Sequence, residues 1–515
     1  NSNPTNSSDE DGVFYGNYHN VKLGRNIRQN GSYVNFQSII GGMNSSSFWG
    51  GSTTGSSNDP TKYKIEIESG NYNSVSLTYG ASNSYSQSTL YTIMYGVYGN
   101  DYDRISLNNN NLIVYFCAAG SWGGNIHSSN DTLTPALNTI VKSGSFGTSE
   151  YDLTTGIYVG GRYGGEHFAP RTAYIEGGYV YNLIGGPLTT DSKNDVNDTL
   201  IYMTGGVVDA ITGGAGTTTT YGNRILQLTG GTVNYSVFGG SNGYDGSSSD
   251  GTLNGDSYIY IGGNITIGND DYINNDNTIW GAEAGSIFGS GNGNTRYATI
   301  GSVNNSNIII NDEATIKRNV YGSGNYGTVG YDSSSSTSNT NIRILGGTVK
   351  GSVFGSGNHS GSGRSGRVTS DINIRMENGT VLDSIYGGSN QEGTVYGNSN
   401  ITLINGSLKD IYGGGLGENT YISQNVNIVA GTNETTSLLI SGSVYGGSAY
   451  GVVNSSSKNN NRSNYTTSVT VNNGTLQNVF GGGKGDNSIV PYVAGDVTVT
   501  VNGGNIKNLF GGNDA

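Results

Sequence analysis

The segment Asn502-Gly503-Gly504-Asn505-Ile506-Lys507-Asn508-Leu509-Phe510-Gly511-Gly512 is one copy of a phrase that recurs throughout the C-terminal half of the chain. Each copy has a Gly or Asn corner, an aliphatic, a short polar gap, an aliphatic-aromatic pair and two small residues. Other copies are Gly474-Thr475-Leu476-Gln477-Asn478-Val479-Phe480-Gly481-Gly482 and Gly406-Ser407-Leu408-Lys409-Asp410-Ile411-Tyr412-Gly413-Gly414. The marker aromatics are Phe238, Phe288, Tyr321, Phe354, Tyr386, Tyr412, Tyr445, Phe480 and Phe510, at steps of 26 to 50 residues. Such periods point to solenoids, propellers or stacked arrays rather than to one globular centre.

What precedes each phrase narrows the choice. Val497, Val499 and Val501 alternate with polar residues before one copy; Ile401 and Leu403, Ile372, Ile374 and Met376, and Ile342 and Ile344 do so before others. Alternation with β-branched residues marks a strand buried on one face. The corner pairs Asn378-Gly379, Asn405-Gly406, Asn473-Gly474, Gly230-Gly231, Gly346-Gly347 and Gly503-Gly504 use the residues that tolerate positive φ at least cost. A propeller blade takes about 40–45 residues, so the 26-residue step is too short for one. A coil of a β-helix has no fixed length, because loops swell outward without disturbing the stack.

Looser copies lie upstream. Ile175 to Gly186 and Thr204 to Gly214 lack the aromatic but keep the frame; Ile39-Ile40-Gly41-Gly42 and Ile65-Glu66-Ile67-Glu68-Ser69-Gly70 read as strand and corner. The apolar run Leu112 to Gly120 reads as a strand buried on both faces. The expected fold is all-β, a right-handed parallel β-helix (β-solenoid) of about 13–15 irregular coils with loop insertions. Residues 1–170 would form irregular coils and a cap, continuous with regular repeats over 171–515.

Composition fits this reading. The chain has 87 Gly and 6 Pro with 12% charged residues, which suggests low complexity until the glycines are seen at set offsets from Val, Ile and aromatics. A net charge of −13 with scattered basic residues disfavours nucleic acid and anionic lipid as partners. The single cysteine, Cys117, excludes an internal disulfide and sits in an apolar run as a small buried residue. No apolar stretch approaches the ~18 residues needed to span a membrane, so no membrane insertion is expected. The start, Asn1 to Glu10, has no signal-peptide profile. The sequence stops just after a complete phrase, and an uncapped coil exposes a strand edge; either a longer protein or end-to-end self-association is expected.

Two groups of side chains are candidate sites. In Val320-Tyr321, Ile385-Tyr386, Ile411-Tyr412 and Val444-Tyr445 the neighbours point to opposite faces of a strand. If the aliphatic points inward, Tyr321, Tyr386, Tyr412 and Tyr445 form an external ladder able to lie against sugar rings or a neighbouring molecule. Alternatively a bend at the corner turns the ring into the core, which the phenylalanines in the series favour. Asp270, Asp271 and Asp276 supply closely spaced oxygen ligands of the kind calcium takes, as do Asp191, Asp195 and Asp198, although solvated turns account for both sets. Calcium is the one cofactor this admits. Glu166-His167 is the only adjacent acid-imidazole pair, and no paired-carboxylate constellation stands out for glycoside chemistry. Thr498 and Thr500 invite an ice-binding reading, but Thr402, Asn373 and Arg343 at matching positions break the array.

The closing Val-Phe-Gly-Gly or Ile-Tyr-Gly-Gly, at Val237 to Gly240, Ile385 to Gly388 and Leu509 to Gly512, resembles the glycine-rich repeat proteins of the surface of anaerobic bacteria. The resemblance covers roughly residues 170–515 and implies a secreted or cell-surface β-solenoid stalk or adhesin. A more distant likeness is to the tāpirins, β-helical proteins that attach cells to cellulose. The expected function is therefore that of a non-enzymatic extracellular adhesin or structural rod. Its expected partners are polysaccharide, a host or substrate surface, or further copies of itself, met through outward polar and aromatic groups. The alternatives are a cellulose-binding module of tāpirin type and a polysaccharide lyase or hydrolase.

Overall fold

The computed structural model describes residues 139–143, 145–147, 156–159, 172–186, 198–215, 219–241, 252–274, 283–293, 301–330, 337–359, 366–434, 437–458 and 461–514, together with the backbone of the strands between 19 and 141 and of residue 171. The chain divides into two compact units, Asn1–Asn223 and Arg224–Ala515. Both are parallel β-helices.

In the first unit, His19–Leu23, Tyr63–Ile67, Asp103–Leu107, Leu137–Val141, Arg171–Ile175 and Thr199–Met203 stack in parallel, each beside the next. A second row runs from Ile39–Ile40 through Leu90–Tyr95 to Ile113–Ala119, the strand expected from the apolar run around Cys117. Ser145–Phe146 and Gly156–Tyr158 continue it to Tyr179–Ile184 and Val207–Thr212. Arg28–Gln29 pairs antiparallel with Ser32–Tyr33 and departs from the pattern.

The second unit repeats one coil. Long strands Arg224–Leu228, Ser257–Ile261, Ser306–Ile310, Thr340–Ile344, Ile372–Met376, Ser399–Leu403, Val426–Ala430, Thr466–Val471 and Asp496–Val501 form one parallel row without register slips. Their first, third and fifth core-register side chains point inward, so Ile259, Ile308, Ile342, Ile374, Ile401, Ile428 and Val469 lie in file and are at most 2% exposed. Each such aliphatic is worth about 1.5–3 kcal/mol when fully buried. A corner follows, then a second row such as Thr348–Val349 and a third such as Val353–Phe354. A fourth segment closes the coil; its Val303, Val329, Val368 and Val395 bridge in sequence, and further on it widens into Glu392–Val395, Asn419–Ile422, Val452–Val453 and Tyr492–Val493.

The corners behave as their sequence demands. Gly231, Gly347, Gly379, Gly406, Gly474 and Gly504 all adopt positive φ, between 75° and 116°. Where the corner reads Asn311-Asp312-Glu313, Asp312 takes the left-handed conformation instead, at φ 55°. Its Oδ2 accepts hydrogen bonds from the Gly263 N–H at 2.9 Å and the Tyr260 hydroxyl at 3.3 Å. Aspartate is one of the few non-glycine residues that enter this region readily.

Candidate functional site: an outward amide column over a buried aromatic stack

The marker aromatics of the second unit are inside. Phe238, Phe288, Tyr321, Phe354, Tyr386, Tyr412, Tyr445 and Phe480 are at most 7% exposed, and Phe510 is the one open ring of the series. From Phe238 to Phe510 successive ring centroids lie 4.6–5.1 Å apart with planes within 4–9° of parallel. The coil repeat of about 4.8 Å imposes this spacing. This corrects the expectation of an external tyrosine ladder: the faces of Tyr321, Tyr386, Tyr412 and Tyr445 lie against neighbouring rings and are closed to a sugar.

The alternation argument fails for a physical reason. The ring does leave the aliphatic core, but the chain turns at the following glycines and lays its next segment over the ring. Leu416, Ala449 and Tyr450 of that segment pack on the stack. Four residues beyond an aromatic in each case, Asn292, Asn325, Asn358 and Asn390 form a second file. Asn325 Nδ2 donates to Asn292 Oδ1 at 3.0 Å, Asn358 to Asn325 at 3.0 Å and Asn390 to Asn358 at 2.7 Å. The Tyr321 hydroxyl reaches this file, lying 3.2 Å from Asn358 Oδ1, and it donates to Glu283 Oε2 at 2.9 Å.

Burial pushes all four phenols above their ordinary range; beside Tyr321 the Glu283 carboxylate adds to the effect, and near Tyr386 and Tyr412 the Asp383 and Asp410 carboxylates contribute. A phenol whose folded pKa is raised stabilises fully below the unfolded value near 10, and that stability is lost as pH climbs through the folded value. Urea midpoints should therefore hold up to about pH 10 and fall beyond it. Replacing Tyr321, Tyr386, Tyr412 and Tyr445 with Phe should remove most of the alkaline loss. Denaturant titrations of both proteins from about pH 8 to about pH 11.5 check this.

The calcium expectation rests on Asp270, Asp271 and Asp276, of which only the first two are described. Asp270 and Asp271 begin a short helix, Asp270–Asn274, and Asp270 turns to Lys317, with Oδ1 2.9 Å from Nζ. That ammonium holds the Asp270 carboxyl below its usual range. Asp276 lies outside the described residues, as do Asp191, Asp195, Glu166 and His167, while Asp198 Oδ1 accepts from the Asn223 N–H at 2.7 Å. Among the described residues no group of three or more His, Cys, Asp or Glu side chains could hold a metal ion.

The outward face of the long-strand row carries what sequence reasoning missed. Asn307, Asn341, Asn373, Asn400 and Asn427 occupy the same register position on consecutive coils. Each amide donates to the one before it: Asn341 to Asn307 at 3.0 Å, Asn373 to Asn341 at 3.0 Å, Asn400 to Asn373 at 3.1 Å and Asn427 to Asn400 at 2.9 Å. Two residues on, Arg343 and Arg375 share Glu377 Oε1 at 2.9 and 2.8 Å, which holds that carboxyl below its usual range. Behind the column, Asn305, Asn339, Asp371, Asn398 and Asn425 run parallel, side-chain oxygens of one coil accepting backbone N–H groups of the next. The signal was present: each outward asparagine precedes isoleucine, in five successive Asn-Ile pairs. No protein-family model, curated protein or solved structure matches the chain.

Proposed function

We propose that the chain is a non-enzymatic extracellular β-solenoid, an adhesive or structural scaffold that contacts polysaccharide through its outward polar face. The observation that carries this reading is the column Asn307 to Asn427. Each primary amide has two N–H groups; Asn341, Asn373, Asn400 and Asn427 each use one on the amide before, and Asn307 donates one to the Ser257 carbonyl oxygen at 3.3 Å. The other is left for an acceptor outside. Donors fixed at one per coil suit a ligand that repeats hydroxyls along an extended chain, and many weak contacts in series add up to firm attachment. Holding the amides in place beforehand reduces the entropy lost on binding.

The test is retention on a panel of insoluble and arrayed polysaccharides, comparing the native chain with Asn341→Ala/Asn373→Ala/Asn400→Ala. The triple variant should lose at least about tenfold in retention, since several hydrogen bonds of roughly 1 kcal/mol act together. Equal retention by both proteins, or release of reducing sugar or unsaturated uronate by either, would contradict the reading.

A further inference from the structure

The buried stack is graded in chemistry as well as geometry. Tyrosine occupies its middle, at Tyr321, Tyr386, Tyr412 and Tyr445, with only Phe354 intervening; Phe288 and Phe238 lie beyond one end and Phe480 and Phe510 beyond the other. The outermost tyrosines of this run each donate to a carboxylate: Tyr321 to Glu283 at 2.9 Å and Tyr445 to Asp514 at 2.8 Å. Between them, Tyr445, Tyr412, Tyr386, Phe354 and Tyr321 are separated by centroid steps of 4.7, 4.7, 4.8 and 5.1 Å.

The geometry points to a one-electron redox path within this stack, on which an electron hole comes to rest as a neutral tyrosyl radical at Tyr445 or Tyr321, the two phenols of the stack with a hydrogen-bonded carboxylate. A surface-acting one-electron oxidant, such as a photo-excited flavin or a high-potential metal complex, takes one electron from the Tyr445 ring and is itself reduced by one electron. The Tyr445 O–H bond breaks and its proton forms an O–H bond on Asp514 Oδ2, leaving a neutral phenoxyl and a neutral carboxylic acid. Return of one electron and the proton restores phenol and carboxylate. The same exchange runs between Tyr321 and Glu283 Oε2.

Burial denies the phenols ionisation to water, so the proton must go to a fixed acceptor. Among the described residues Tyr386 and Tyr412 donate to no carboxylate, and they act with Phe354 as the bridge. The flanking phenylalanines, harder to oxidise, confine the hole. Outside the stack Tyr258 donates to Asp256, Tyr260 to Asp312 and Tyr179 to Asp209, but none of these three phenols is fully buried, and a radical there meets reductant in solution.

Flash-generated ruthenium(III) polypyridyl oxidant, with ascorbate present to reduce exposed phenoxyls, tests the path on the native chain by transient absorption and freeze-quench electron paramagnetic resonance. A long-lived tyrosyl radical is expected. Asp514→Asn/Glu283→Gln should lower its yield at least tenfold. The four Tyr→Phe changes should abolish it, and phenylalanine already serves at the other positions of the stack, so folding is preserved. A native chain that gives no long-lived radical, or the same yield from the fourfold Phe variant, overturns the inference.

Discussion

Phe354→Ala is expected to destabilise the second unit by about 3–5 kcal/mol, the usual cost of emptying a buried aromatic site. The ring is 2% exposed and stacks on Tyr321 at 5.1 Å and on Tyr386 at 4.8 Å. Both faces lose their partner at once, and the coil spacing is fixed by ladder hydrogen bonds on either side, such as Val353 N–H to Ser384 O at 2.9 Å and Gly355 N–H to Tyr386 O at 2.9 Å. The gap therefore cannot close by collapse, which places the expected loss at the upper part of the range. Equilibrium urea unfolding followed by tyrosine absorbance measures it; a change below about 1 kcal/mol would mean that the stack is not a core.

Gly413→Ala is expected to be at least as damaging, although it adds a single methyl group. A Cβ there would run into the Gly446 carbonyl oxygen of the next coil and into Cγ1 of Val426. The first obstacle is backbone held by the same ladder, with the Gly413 N–H bonded to Tyr445 O at 2.9 Å. Overpacking of this kind typically costs 1–3 kcal/mol where side chains can shift; with backbone in the way, we expect about 3 kcal/mol or more. The melting temperature of the variant, set against that of Gly511→Ala, where an added Cβ meets nothing within 4 Å, isolates the effect. Equal melting temperatures would show that the first glycine after each aromatic is not there for close approach.

Much of the architecture was legible because it rests on local rules. Ile342 and Ile344 alternate with Asn341 and Arg343, and a one-residue slip would turn the entire row outward; Gly347 and Gly379 sit at corners that need positive φ. The direction of the rings was not legible in the same way. Alternation places Tyr386 opposite Ile385, as it should, but whether that opposite side meets solvent depends on where the chain goes after Gly387 and Gly388, and no period encodes that. Asn292, Asn325, Asn358 and Asn390 are the available sign, since a polar amide four residues after each of Phe288, Tyr321, Phe354 and Tyr386 marks a segment returning over the ring. Taken together, Asn373, Arg343 and Thr402 hide the outward column, because Asn373 belongs to one row and Arg343 and Thr402 to another. Comparing the second strand position by itself gives Asn307, Asn341, Asn373, Asn400 and Asn427. Asp270 looked like a metal ligand because Lys317 is 47 residues away in the sequence and becomes its partner only once the coils are stacked.

The burial of the marker aromatics joins all of these points, and chemical nitration reads it directly. Tetranitromethane treatment of the folded full chain, followed by peptide mass spectrometry, compares each tyrosine with its neighbours. Tyr258, Tyr396 and Tyr465, at 37–41% exposed, should be modified readily, while Tyr321, Tyr386, Tyr412 and Tyr445 stay unmodified until the protein is unfolded in denaturant. Nitration of those four at the rate of Tyr258 in the native state would place the rings outside and contradict the account.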